Sequence, residues 1–233
     1  MNPRHALRWT LGIGLSGFLL LAADELSHGW FYRSDFTVDA AMTRWAAAWP
    51  AVHTIGFVLS EPGSALFATA VTLTGAVLLL CWRQRRRAFA LAAGSMLGGL
   101  LVTTLKPAIG RPLPPFIAQR FPHGFAFPSG HTMGATASVA LAVLLLAEGT
   151  VARRTLPAAR AIPLRRAALG SAIAIAGLVG IARILAQNHW VSDVLGSWCL
   201  GGAIVAATLL AAGEWRGPGP WFRAGEPSAP ERC

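Results

Sequence analysis

Residues 62–82 read PGSALFATAVTLTGAVLLLCW, twenty-one positions without a charge. A helix rises about 1.5 Å per residue, so a run of this length crosses the ~30 Å hydrocarbon core of a bilayer. Five further uncharged runs occupy residues 9–23, 88–105, 129–147, 167–182 and 194–213. Three of these also reach the ~18 residues of a membrane span, whereas 9–23 and 167–182 need their flanks to complete a crossing. Composition agrees, with 54% hydrophobic and 13% charged residues and a mean hydropathy of +0.52. The expectation is an all-α, polytopic membrane protein: a six-transmembrane-helix bundle in one domain, residues 1–212. The tail, 213–233, is rich in Pro and Gly, lacks periodicity and reads as disordered and cytoplasmic. No internal repeat is present.

A net charge of +10 in a soluble protein would suggest nucleic acid, but here its distribution carries the meaning. With a cytoplasmic amino terminus, segments 1–8, 83–87, 148–166 and 214–233 lie inside and hold fourteen of the twenty basic residues. The remaining six lie outside, beside Asp24, Glu25, Asp35, Asp39, Glu61 and Asp193. This positive-inside bias puts both termini in the cytoplasm and removes the case for a nucleic-acid partner. Arg4 and Arg8 ahead of an apolar run also resemble a signal peptide. Cleavage at Ala23 would place Leu21 where a small residue is required, which favours retention as a span. Of the three cysteines, Cys81 and Cys199 fall inside spans and Cys233 is terminal, so neither a disulfide framework nor a metal site is indicated.

The long external segment 24–61 contains an Ala-rich stretch, 39–49, with Trp45 and Trp49 one turn apart. It reads as an amphipathic helix in the membrane interface; the competing reading is an extension of a neighbouring helix. Gly94 and Gly98 form a GxxxG pair that permits close helix approach.

Ionisable residues gather at the external helix ends. Lys106, the sole lysine, stands where the third span emerges, and the stretch from Lys106 to Pro112 is expected to open an external loop. That loop ends at Pro128, Ser129, Gly130 and His131, which begin the fourth span. The fifth span ends at Arg183, and the sixth begins at His189, Trp190, Val191, Ser192 and Asp193. On a helix, His189 and Asp193 share a face, so the carboxylate can hold one imidazole nitrogen and leave the other free to attack. Lys106, Arg111 and Arg183 supply positive charge for a phosphoryl group. Ser129 and Gly130 open a helix, whose free N–H groups favour an anion, and His131 can protonate a departing oxygen.

A zinc half-site is the rival reading of the His189–Asp193 spacing, but three neighbouring cations would repel the ion, so no metal and no cofactor is expected. Snorkelling explains a lone Arg or Lys, not two histidines and an aspartate among cations. His5, His28, His53 and His123 have no comparable setting and read as interface or loop residues.

These motifs resemble the type 2 phosphatidic acid phosphatase superfamily, whose signature runs K-x6-R-P, then P-S-G-H, then S-R-x5-H-x3-D. Pro128, Ser129, Gly130 and His131 meet the second part in full. Arg183, His189 and Asp193 meet the third, with Ala182 in place of the serine. The first part departs: six residues beyond Lys106 stand Leu113 and Pro114. Gly110, Arg111 and Pro112 match the start of the G-R-P-R-P found in many relatives, but the second arginine is missing.

The resemblance implies His189 as nucleophile of a phosphohistidine, Asp193 as its orienting carboxylate and His131 as general acid. Lys106, Ser129, Gly130 and Arg183 would bind phosphate. Arg111, two positions early in the same proline-rich loop, is the expected substitute for the missing arginine, with Arg120 next. The implied activity is hydrolysis of a lipid phosphate or diphosphate at the periplasmic face of a bacterial cytoplasmic membrane, with undecaprenyl diphosphate as leading substrate. Phosphatidate, phosphatidylglycerol phosphate and lipid A phosphates are rivals. A phosphotransferase using the same histidine and a non-catalytic lipid-binding or transport protein are the alternatives.

Overall fold

The computed structural model describes residues 3–213, so the tail expected to be disordered lies, beyond Gly213, outside the described residues. The described chain is helical: α1 (Pro3–Ser27), α2 (Trp30–Ala48), α3 (Ala51–Ser60), a 3-10 turn (Glu61–Gly63), α4 (Ala65–Cys81), α5 (Arg85–Ile109), the short α6 (Pro115–Ala118), α7 (Gly130–Met133), a π turn (Gly134–Ala140), α8 (Leu141–Arg153), α9 (Ala158–Leu185) and α10 (Val191–Ala212). Six stretches are long and apolar enough to cross a membrane. The two short runs are completed as expected: α1 has 25 residues and α9 has 28, their basic flanks wound into the helix. Arginines at such ends reach the interface through their long apolar stems.

The fourth span, α7 through α8, is the axis of the bundle. Of its central window 72% is buried, against 22% for each of the first three spans. The outer helices instead expose Leu20, Leu66, Leu73, Phe89 and Met96, as a lipid-facing surface requires. Gly94 and Gly98 bring α5 onto this axis: a β-carbon at Gly98 would stand 2.8 Å from the Cβ of Ala137, and one at Gly94 2.7 Å from Leu141 Cδ2. The π turn widens the helix next to α7, a distortion that commonly accompanies functional sites.

Two boundaries differ from the sequence expectation. The helix foreseen at 39–49 is α2, which begins at Trp30 and is separate from its neighbours. Charged Arg33 and Asp35 hid its first turns from a hydropathy reading; Asp24 fixes the corner by accepting the Tyr32 N–H at 2.8 Å. Trp30, Trp45 and Trp49 are exposed along it. The second span starts earlier than residue 62, because α3 and α4 form one apolar stretch, Ala51–Cys81, interrupted only by the Glu61–Gly63 turn. That turn lies against the start of the axis helix, where a β-carbon at Gly63 would collide with the His131 carbonyl.

Candidate active site

The sixth span supplies the centre. Asp193 lies in the first turn of α10, and His189 lies two residues ahead of the helix rather than on it. The contact expected from their spacing forms all the same, because Asp193 Oδ2 accepts the Trp190 N–H at 2.9 Å and sits 3.1 Å from His189 Nδ1. Capping the helix and holding the imidazole are thus done by one oxygen, and the ring also lies against the Ala126 carbonyl. Asp193 is fully buried and His189 is 7% exposed. Burial holds the His189 ring well below the ordinary histidine pKa, and the cations Lys106 and Arg183 push it the same way. A neutral imidazole is the nucleophilic form.

The other elements converge on this pair. The Ser129 N–H donates to the Asp193 carbonyl at 3.3 Å, and Ser197 Oγ donates to the carbonyls of Ser129 and Asp193, which locks the start of α7 to α10. Ser129 is fully buried and caps α7, its hydroxyl accepting from Thr132. Gly130 and His131 form the first turn of α7, and His131 is within electrostatic reach of Lys106, Arg183 and His189. Lys106 belongs to the last turn of α5, which runs past Pro107 to a left-handed cap at Gly110, φ 70°. It is therefore helical, not the start of the loop. Its Nζ donates to the carbonyls of Phe125 and Ala126, immediately ahead of the 128–131 motif. Arg183, in the last turn of α9, is 7% exposed. Its Nη1 donates to Ser60 at 3.3 Å, while its buried Nε has no hydrogen-bond partner, a donor that an anion would satisfy.

Beside His131 a cavity of about 530 Å³ opens between α4 and α5, lined among others by Gly63, Ala68, Thr72, Gly98 and Val102. Among the described residues, no group of three or more His, Cys, Asp or Glu side chains is arranged to hold a metal ion.

The model of the PAP2 superfamily matches residues 87–216, more than half of the chain. The chain belongs to the PAP2 superfamily. Its fold is similar to that of a transmembrane PAP2-type phosphatidylglycerolphosphate phosphatase from Bacillus subtilis, known from a crystal structure, with a TM-score of 0.70 and 23% identity over 86% of this chain and 94% of that one. No curated protein matches the sequence.

Against the PAP2 pattern, the structure accounts for both departures in the chain. Where the motif serine is replaced by Ala182, the hydroxyl beside Arg183 comes from Ser60 at the end of α3. Where the motif arginine is replaced by Leu113, the leucine packs beside Gly124. Arg111, expected to bind phosphate in its stead, is placed elsewhere. The residue is 3% exposed, and its guanidinium is bonded to Glu25, Asp35, Ser192 and Asp193. Four groups from three other helices hold it on the far carboxylate oxygen of Asp193. Arg120 is exposed over the Phe121 ring and does not join the site either.

His5, His28 and His123 are exposed. His53 is not the bare interface residue expected: its Nε2 lies 2.8 Å from Gln187 Oε1, and its ring stacks on Phe116. Gln187 in turn donates to Thr43 at 2.7 Å, pinning the loop that carries His189 to α2 and α3. Asn188, next to His189, is fully buried with no hydrogen bond on its amide. Sequence reasoning missed Ser60, Gln187 and Asn188, which carry no motif. Glu25 and Asp35 had a signal, since ionisable groups beside a span are functional candidates by default.

Proposed function

We propose that this chain is a lipid phosphatase that removes a phosphate from a lipid phosphomonoester or diphosphate through a phosphohistidine on His189, without a metal. The observation that carries this reading is a buried histidine, held at Nδ1 by Asp193 and within electrostatic reach of two cations, with His131 lining a largely apolar cavity. His189 Nε2 attacks phosphorus as the bond to the lipid oxygen breaks, and His131 gives that oxygen its proton. Water then attacks the phosphohistidine, loses its proton to His131 and releases inorganic phosphate with His189 restored. Lys106, Arg183 and the N–H groups around Gly130 disperse the charge on the three phosphoryl oxygens. The cavity between α4 and α5 suits a hydrocarbon chain, with the head group at His131 and the chain directed toward the bilayer.

Arginine distribution supports a site facing the periplasm, with the amino terminus in the cytoplasm of a bacterial inner membrane. The single catalytic domain spans 1–212, with 213–233 as a cytoplasmic tail. Undecaprenyl diphosphate is the leading substrate. The test is phosphate release by purified protein in detergent with excess EDTA, across undecaprenyl diphosphate, phosphatidylglycerol phosphate, phosphatidate and lipid A. Preferred turnover of the first supports the full assignment, and turnover of another moves only the substrate. Silence on every lipid phosphate would refute the reading.

A further inference from the structure

Arg111 stands at the meeting point of four parts of the chain. Glu25 arrives from the end of α1, Asp35 from α2, and Ser192 and Asp193 from the start of α10; Arg111 itself follows the cap of α5. Nη2 donates to Asp35 Oδ2 at 2.7 Å, and Nη1 donates to Glu25, Ser192 and, at 3.4 Å, to Asp193 Oδ1. Ser192 Oγ donates to Asp35 Oδ2 at 2.6 Å, which closes the network. The guanidinium carbon lies 5.1 Å from the ring centroids of both Tyr32 and Trp190, so its two flat neighbours fix its plane.

A cation meant for phosphate keeps its donors and its charge available. Arg111 has committed its charge and both terminal nitrogens, which face three carboxylates, and only its Nε–H lacks a partner. Swinging it toward a phosphate would leave Glu25 and Asp35 buried without their counter-charge, which is costly. What the network does hold is Asp193. One oxygen of that carboxylate serves His189 and Trp190, the other meets Arg111, so the carboxylate has no freedom to rotate. We propose that Arg111, backed by Glu25, Asp35 and Ser192, is a positioning residue that fixes Asp193 and through it the imidazole of His189. The arginine absent at Leu113 is thus not replaced at the phosphate, and the arginine that remains acts behind the nucleophile.

This rests on the reading of His189 and Asp193 as the catalytic pair, and the experiment separates the two. Turnover and competitive inhibition by inorganic phosphate are measured for Arg111→Ala, Asp193→Asn, the double variant and His189→Ala. Arg111→Ala should lower kcat by about a hundredfold, as misplaced catalytic groups do. The inhibition constant for phosphate should stay within threefold, and Arg111→Ala should add less than threefold in the Asp193→Asn background, because both changes break one unit. Leu113→Arg should not rescue Arg111→Ala. Arg111→Gln with Asp35→Asn, which removes one charge of each sign, gives the same comparison where Arg111→Ala fails to fold. Effects that multiply in the double variant, or phosphate inhibition weakened tenfold with rescue by Leu113→Arg, overturn the positioning role alone. Full turnover in His189→Ala instead overturns the catalytic pair on which it rests.

Discussion

Arg183 donates to Ser60, a residue 123 positions earlier in the chain. Ser60 Oγ gives its own proton to the Phe57 carbonyl at 2.9 Å, so a lone pair is left to receive the guanidinium. Ser60→Ala strips one contact from a buried arginine, on the order of 1 kcal/mol. The expected outcome is KM and the phosphate inhibition constant raised about fivefold with kcat little changed; inhibition identical to wild type would reduce Ser60 to packing. At His189 the pH dependence carries the information. In the proposed mechanism only the neutral ring can attack, and its pKa is lowered by burial and by Lys106 and Arg183. Activity is lost when the ring takes a proton, so a lowered pKa moves that loss to lower pH. The acid limb of kcat/KM should therefore fall below pH ~6.5, the ordinary histidine value. A limb centred at or above 6.5 that vanishes with His189 chemistry would mean that the ring is not held neutral.

The elements meet where small residues let them. Gly63, in the turn between α3 and α4, leaves no room for a β-carbon beside the His131 carbonyl, and one at Gly134 would stand 2.5 Å from the Gly63 carbonyl. Gly63→Val should push the turn off α7, displace His131 and cost at least tenfold in kcat/KM with a lower Tm. Gly170→Ala, with nothing near its added carbon, should change neither. Equal Tm and rate for Gly63→Val and wild type would show that the turn adapts. At this scale the sequence was informative about helices and poor on contacts between them. Uncharged runs located the six spans because the bilayer imposes length and polarity on each run by itself. The position of Arg111 was illegible, since its carboxylates lie 86 and 76 residues away and only packing of α1 and α2 on α10 brings them in. Lys106, expected to open the external loop, is helical because the last turn of α5 accommodates Pro107.

Across the whole molecule, six spans with an excess of arginine at one end predict a fixed orientation. On a background without Cys81, Cys199 and Cys233, a cysteine at position 118 should react with an impermeant reagent in intact cells, and one at 160 should not. Labelling of 160 but not 118 would invert the topology. Chelation probes the same charge arrangement: Lys106 and Arg183 beside His189 favour an anion over a divalent ion, so turnover should survive excess EDTA. Loss in EDTA and recovery with zinc or magnesium would require a different site. His189 is proposed to carry the phosphoryl group, and trapping that intermediate is the most direct measurement. Purified protein is mixed with a turned-over lipid phosphate, quenched in alkali, where phosphohistidine survives, and mapped by mass spectrometry. A phosphorylated peptide containing His189 is expected in the wild type, and no turnover in His189→Ala. Undiminished phosphate release by folded His189→Ala would contradict it.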